Sequence, residues 1–226
     1  QLCGSGLRAV ALGAQQILDG AKIVVAGGQE SMSQSVHAMH LRNGVKMGDA
    51  SMVDTMIKDG LWDAFNNYHM GQTAENIAAR WQITREDQDR LAVQSQNRAE
   101  AARAAGKFKD EIVPVTIKGR KGDTVVDTDE APRAGTTLES LSKLAPIFVK
   151  DGTHTAGNAP GVNDGGGAIV LASDEWAAAN GKTPIAEIVG HAQMANEFPK
   201  LATTPARAAM KALEKAGIAA EDVDLW

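Results

Sequence analysis

A single cysteine among 226 residues excludes an internal disulfide framework. It also fits a reducing compartment, so a cytoplasmic setting is expected. Basic residues are outnumbered, 23 against 28 acidic, for a net charge of −5. They form no block, so nucleic acid is not an expected partner. No run approaches the roughly 18 apolar residues of a membrane span, and no membrane association is expected. The sequence shows neither an initiator methionine nor a leader pattern. Gln1 and the strand-like Val223-Asp224-Leu225-Trp226 read as cut ends, so an internal piece of a longer fold is expected. Aromatics are scarce at 4%, whereas glycine is plentiful at 23 residues. The glycines cluster at Gly4/Gly6, Gly27-Gly28, Gly157/Gly161 and Gly165-Gly166-Gly167. Such clusters mark tight turns or close backbone approach, as in α/β proteins whose loops hold a ligand.

The lone cysteine is the third residue, in Gln1-Leu2-Cys3-Gly4-Ser5-Gly6-Leu7. An apolar-periodic stretch with Leu7, Val10, Ala11, Ala14, Ile17 and Leu18 on one face follows at once, and Asp19-Gly20 ends it. A thiol is thus expected at a glycine bend leading into a helix N-terminus. Free N–H donors and partial positive charge there favour a thiolate, the nucleophile that acyl transfer needs.

Lys22–Ala26 reads as a buried parallel strand. Residues 29–72 read as an irregular insertion rich in Met and Ser, with a short helix over Met52–Asp59. Thr73 is expected to cap a helix through Arg80, and Thr84–Asp87 to open a helix that Gly106 stops. Ile112–Ile117 and Asp123–Val126 predict a hairpin. A short helix is expected near Leu138–Leu144, a strand over Gly167–Ala172, and a helix over Glu175–Asn180. Further expectations are a strand from Ile185 to His191, a helix capped by Thr204-Pro205 and ending at Gly217, and a last strand from Val223. Strands 22–26 and 167–172 are expected in one sheet.

Four ordered motifs resemble the thiolases: Cys3–Leu7, Gly27–Ser33, His69–Asn76 and Gly157–Gly165, with further likeness at Lys46–Asp49 and Phe108–Pro114. The likeness is strongest to the bacterial biosynthetic branch and runs from Gln1 to Trp226. It implies an α/β, thiolase-like αβαβα layered fold, present in part, with an inserted loop domain. On that reading residues 1–32 and 156–182 belong to the N-terminal half. Residues 33–155 form the insertion, with coenzyme A and oligomer contacts, and residues 183–226 open the C-terminal half. The implied activity is acetyl-CoA C-acetyl transfer, a reversible Claisen condensation of two acetyl-CoA to acetoacetyl-CoA plus CoA. No permanently bound cofactor is expected, and the CoA thioester is the substrate. A homotetramer is expected, with the Met-rich 32–70 stretch in its contacts.

Residue by residue, the resemblance makes Cys3 the acylated nucleophile, its N–H helping to bind the thioester oxyanion. His69 and Met70 correspond to the lining of the substrate end of the CoA tunnel, with Leu61 beside the pantetheine. Arg133 corresponds to the side chain that packs on the adenine, and Ser140 and Leu144 to further walls of the nucleotide site. Ala156 and Gly157 correspond to the loop that closes on pantetheine. Pro160 departs from the family, which usually has a serine contacting pantetheine there. Proline offers neither hydroxyl nor N–H, so weaker or rearranged contact is expected.

The family's activating histidine and second catalytic cysteine lie in C-terminal motifs that do not occur here. Two further readings therefore stand beside the first: a catalytically inactive truncated scaffold, and a degradative 3-ketoacyl-CoA thiolase of other chain-length preference. Several features have plainer readings. His37 and His40 at i, i+3 lack a third metal ligand at a supporting spacing and read as solvated loop. His154 and His191 suggest no function. Gly165–Gly167 lacks the Lys-Ser/Thr of a phosphate loop and reads as close helix–strand packing. Arg120 and Lys121 read as a solvated turn.

Overall fold

A computed structural model describes residues 1–226. Its Cα positions group into two compact units, Gln1–Thr73 with Val162–Trp226, and Ala74–Gly161. Residues 33–73 cluster with the first unit.

The first unit is built on a helix and a β-ribbon. A 3-10 turn, Leu2–Gly4, leads into α1, Ser5–Leu18. Ala21 N–H bonds Gln16 O and Gly20 N–H bonds Ile17 O, closing the helix on Gly20 at φ 105°. Strand β1, Ile23–Ser31, pairs antiparallel with a distant segment, Asp164–Ala172, in register from Ile23↔Ala172 to Ser31↔Asp164. The two expected strands do share a sheet, but the parallel reading of 22–26 is corrected. A run apolar at successive positions signals demand for burial on both faces and says nothing about strand direction.

Close approach of helix and ribbon depends on missing side chains. A Cβ on Gly13 would sit 2.8 Å from Leu171 Cδ1 and 3.3 Å from Val24 Cγ1. One on Gly28 would sit 3.2 Å from Gly6 Cα, and one on Gly27 only 2.1 Å from Gly167 O. The 165–167 run does not play that part: an added Cβ at Gly165 or Gly167 meets nothing within 4 Å. The glycines that permit close packing are therefore those of α1 and β1.

Helix α1 covers the face bearing Val24, Ala26 and Leu171. Residues of the alternate register stay open, with Val25 71% and its partner Val170 64% exposed. The buried apolar residues are small ones and one leucine: Ala11, Ala26, Ala78, Leu141 and Ala177. Total exposed area is 17332 Å². A folded body of this mass exposes about 10,000 Å², and two separate bodies about 12,000 Å². The chain thus carries apolar surface that a self-sufficient fold would bury.

After β1 come a 3-10 turn, Met32–Gln34, and two small ladders. The first pairs β2, His37–Ala38, with β3, Val53–Asp54. The second pairs β4, Trp62–Asp63, with β5, Tyr68–His69. Between them lies a π-helical segment, Met56–Leu61, so the helix expected over 52–59 starts four residues later. Asp54 Oδ1 accepts Met56 N–H at 2.9 Å at that start.

Helix α2, Gly71–Trp81, begins two residues before the expected cap. Thr73 lies inside it, and its hydroxyl donates back to Met70 O at 2.5 Å. Helix α3, Arg85–Ala104, opens with the expected capping box: Thr84 Oγ1 accepts Asp87 N–H and Asp87 accepts Thr84 N–H. Gly106, at φ 70°, follows its end as expected. The hairpin is β6, Val115–Ile117, with β7, Thr124–Val126. The short helix is α4, Leu138–Ser142, and it carries a second capping box between Thr137 and Ser140.

The distant partner of β1 is β8, followed by α5, Asp174–Ala179, capped by Ser173 Oγ. Helix α6, Thr204–Ala216, closes on Gly217 at φ 67°. The capping residue of α6 is Thr203 rather than Thr204, and it makes no side-chain cap bond. Residues 185–191 and 223–226 do not form strands. A strand needs a neighbour to receive its ladder bonds, and neither segment has one in this chain. Ile185 and Leu225 stand exposed.

Candidate active site

Cys3 lies in the turn just ahead of α1 and its thiol is exposed and free. The backbone reverses sharply there: Leu2 has φ 50°, Gly4 N–H returns to Gln1 O at 3.0 Å, and Ser5 begins the helix. The local sequence explains the geometry. Gly4, Ser5 and Gly6 have little or no side chain to obstruct the bend, and Gly6 packs against Gly28 of β1. The sulfur is therefore presented at a helix start rather than buried among hydrocarbon.

Leu61, His69 and Met70 are brought together by the β4–β5 hairpin. Trp62 pairs with His69, and Met70 N–H donates to Leu61 O at 2.7 Å. The organiser is Asp63, fully buried at the hairpin's mouth. Its Oδ1 accepts Phe65 and Asn66 N–H at 2.9 and 3.0 Å, and Oδ2 accepts Asn66 Nδ2 at 2.7 Å. Burial pushes this carboxyl up, but the donors of Asn66, Phe65 and Tyr68 outweigh it and hold the group below its ordinary value. Asn67 takes φ 60° and its N–H returns to Asp63 O at 2.8 Å.

His69 Nδ1 accepts Gly71 N–H at 3.0 Å, which fixes the neutral tautomer with its proton on Nε2. Desolvation lowers its pKa, favouring the same uncharged ring. At neutral pH this histidine is an uncharged hydrogen-bonding group.

The second unit assembles Ser140, Leu144, Ala156 and Gly157. A Cβ on Gly157 would lie 2.6 Å from both Leu141 Cδ2 and Leu144 Cδ1, so only glycine lets this loop seat against α4. Arg85, in α3, donates to Leu141 O at 2.7 Å and Leu144 O at 3.0 Å, and to Asp89 Oδ2 at 2.8 Å. Asp89 is buried, and its Oδ1 accepts Asn158 Nδ2 at 3.0 Å. Asn158 also donates to Thr153 O and accepts Thr155 N–H. Glu75, buried in α2, accepts Thr153 N–H, Thr153 Oγ1 and His154 N–H at 2.8–3.0 Å. His154, given no role from the sequence, stacks on Phe148 with centroids 5.5 Å apart.

Ser140 is engaged locally: its hydroxyl donates to Thr137 O and accepts Thr137 N–H in the α4 cap. Arg133 is exposed, and its N–H donates to Gln96 Oε1 at 2.8 Å. Pro160 is exposed at the end of the same loop. The expected residues thus fall into a nucleophile turn, a hairpin and a loop seated on α3–α4. Sequence reasoning missed Asp63, Glu75 and Asp89, the buried carboxylates that hold the last two. Their signal was faint: Glu75 follows Thr73-Ala74 in a helix, Asp63 follows Trp62 in a short strand, and Asp89 sits in a helix crowded with charge.

One further link joins two of the motifs. Ser33 N–H donates to Asp164 Oδ1 at 2.9 Å, and Ser33 Oγ donates to Asp164 Oδ2. This pins the turn after β1 to the start of β8.

Comparison with known proteins agrees with this layout. The family model described as the thiolase N-terminal domain matches residues 1–175. An acetyl-CoA acetyltransferase of Paracoccus denitrificans is 59% identical over 226 residues, covering 100% of this chain and 58% of the relative. A rat protein named cytosolic acetyl-CoA acetyltransferase is 51% identical over 228 residues, covering 100% of this chain and 57% of its own length. The crystal structure of human mitochondrial 3-ketoacyl-CoA thiolase superposes with TM-score 0.94 at 42% identity, covering 99% of this chain and 57% of that one. The chain spans less than three-fifths of the length of these relatives. With the thiolase N-terminal model covering most of its length and relatives more than half identical along all of it, the chain belongs to the thiolase family.

Proposed function

We propose that this chain supplies the nucleophile and the CoA-binding loops of an acetyl-CoA C-acetyltransferase. The observation that carries the reading is Cys3, exposed where a glycine bend meets the start of α1. Cys3 gives up its thiol proton, its thiolate attacks the thioester carbonyl of acetyl-CoA, and CoA sulfur leaves and takes up that proton, giving acetyl-Cys3 and CoA. The N–H groups at the helix start stabilise the oxyanion of the tetrahedral intermediate. In the family's scheme a second cysteine, in the C-terminal motifs, takes an α-proton from a second acetyl-CoA; the carbanion attacks the acetyl carbon, and Cys3 departs as the thiolate, releasing acetoacetyl-CoA. Neutral His69 and Met70 line the acyl end, with Leu61 beside the pantetheine. Ala156, Gly157 and Pro160 lie along the pantetheine, and Arg133, Ser140 and Leu144 at the adenine nucleotide.

The names of the relatives at 51–59% identity, all acetyl-CoA acetyltransferases, support the two-carbon acyl preference. Comparing acetoacetyl-CoA with longer 3-ketoacyl-CoA esters in thiolysis tests it. The exposed Met39, Met47 and Met52 support oligomer contacts, with a homotetramer as the family expectation. The cytosolic name of the rat relative and the lone cysteine support a cytosolic setting.

The decisive experiment is Cys3→Ser in the full-length polypeptide, with labelled acetyl-CoA and mass spectrometry. Loss of the acetyl label on the Cys3 peptide is expected, and label that persists at another residue removes the assignment.

A further inference from the structure

The loop read as closing on pantetheine bonds to itself through Thr153, Thr155, Gly157 and Asn158, but its own contacts do not anchor it to the helices. From Gly152 to Asn158 it is suspended from two helices by two buried carboxylates. Glu75, one turn into α2, takes Thr153 N–H on both oxygens (2.9 and 3.0 Å), Thr153 Oγ1 (2.9 Å) and His154 N–H (2.8 Å). Gly152 makes room for it, since a Cβ there would stand 2.5 Å from Glu75 Oε1. At the other end Asn158 hangs from Asp89, which Arg85 ties to the carbonyls of Leu141 and Leu144. Gly157 rests on those same two leucines. Every donor that Glu75 satisfies belongs to the loop, and no cation pairs with it: the only charged or titratable group facing it is His154.

We propose that Glu75 is the positioning residue for CoA binding in this protein. Its carboxylate locks the 152–158 loop in the conformation that receives pantetheine while taking no part in the chemistry at Cys3. This rests on the reading of the chain as an acyl-CoA acetyltransferase. A carboxylate is required because four donor contacts converge on its two oxygens. A carboxamide of the same shape offers one acceptor oxygen and turns an NH2 toward backbone N–H groups. The loop then gives up its bound geometry, and each CoA substrate must reorder it on binding.

The test is Glu75→Gln in the full-length polypeptide, assayed with acetoacetyl-CoA and with the short thioester acetoacetyl-N-acetylcysteamine, which lacks most of the pantetheine arm. The expected result is a KM for the CoA substrate raised about 10-fold, corresponding to ~1.4 kcal/mol. kcat changes less than about 2-fold, kcat/KM for the short thioester is unchanged, and amide protection at Thr153 and His154 is lost. Thr153→Val, removing one of the four contacts, shifts KM the same way by about 2-fold and guards against a Glu75 variant that fails to fold. Unchanged KM in both variants overturns the proposal. Equal loss on both thioesters also overturns it, because that is general damage. A wild-type protein that never acylates Cys3 sinks the functional reading instead, and amide protection then still decides whether Glu75 holds the loop.

Discussion

His69 Nδ1 accepts the N–H of Gly71, two residues along, at 3.0 Å, so the ring keeps its proton on Nε2. In 15N-edited spectra at pH 7, His69 is expected to show an unprotonated Nδ1 and a protonated Nε2. The sign of the pH effect follows from the direction of its pKa. Burial lowers the value from 6.5, so the folded state binds this proton less readily than the unfolded state does. The stabilising contribution is present above 6.5 and is lost as pH falls through the folded value. An imidazolium signal already dominant at pH 7 contradicts this geometry.

Glu75 gives a second acid-sensitive element in the other unit. Burial pushes its carboxyl up, but the N–H groups of Thr153 and His154 and the Thr153 hydroxyl outweigh that and hold it below its ordinary 4.5. A lowered carboxylate contributes stability above its unfolded pKa and loses it as pH falls through the folded one. Urea unfolding of wild type and Glu75→Gln at several pH values checks this. The gap between them is expected to be about 1–3 kcal/mol at pH 7 and to narrow steadily below pH 4.5. A gap independent of pH refutes it.

Two glycines of one ladder should behave oppositely on replacement by alanine. At Gly27 the new methyl meets a backbone oxygen, Gly167 O, at 2.1 Å, which no rotamer change relieves. Gly27→Ala is expected to cost at least about 3 kcal/mol, or to yield insoluble protein. Gly165, paired with Glu30, has nothing within 4 Å of the added atom. Gly165→Ala is expected to be neutral or stabilising by up to about 1 kcal/mol, since alanine loses less entropy on ordering. Melting temperatures of both variants read the contrast.

Pro160, exposed at the end of the suspended loop, presents no hydrogen-bond donor where the family pattern has a serine. Pro160→Ser in the full-length polypeptide should lower KM for acetoacetyl-CoA by about 3–10-fold, the worth of one hydrogen bond. A KM that stays level or rises shows that the loop already contacts pantetheine fully without it.

Much of this was legible in the residues. The capping box at Thr84, the glycine stops at Gly20, Gly106 and Gly217, and the Val115–Val126 hairpin depend on bonds within a few positions, and local sequence encodes such bonds directly. The exposed thiol was legible for the same reason, because small residues around Cys3 leave it uncovered. The direction of β1 was not, since apolar content reports burial and not which way a partner runs. The strands expected at 185–191 and 223–226 failed because a strand exists only as half of a pair. Asp63, Glu75 and Asp89 stayed hidden for a related reason. Their charge reads as solvent-facing until the donors that surround them, in Glu75's case from the distant Thr153 and His154, are placed by the fold.

The β1–β8 ribbon joins segments whose linking pair, Ser33 and Asp164, stand 131 positions apart in the chain. At a synthesis rate of about 5–20 residues per second, the ribosome needs on the order of ten seconds between making the two. Residues 74–161 all emerge within that interval and need nothing outside it for their two carboxylate clamps. Every partner of both clamps is therefore made before Leu171 is available to meet Val24.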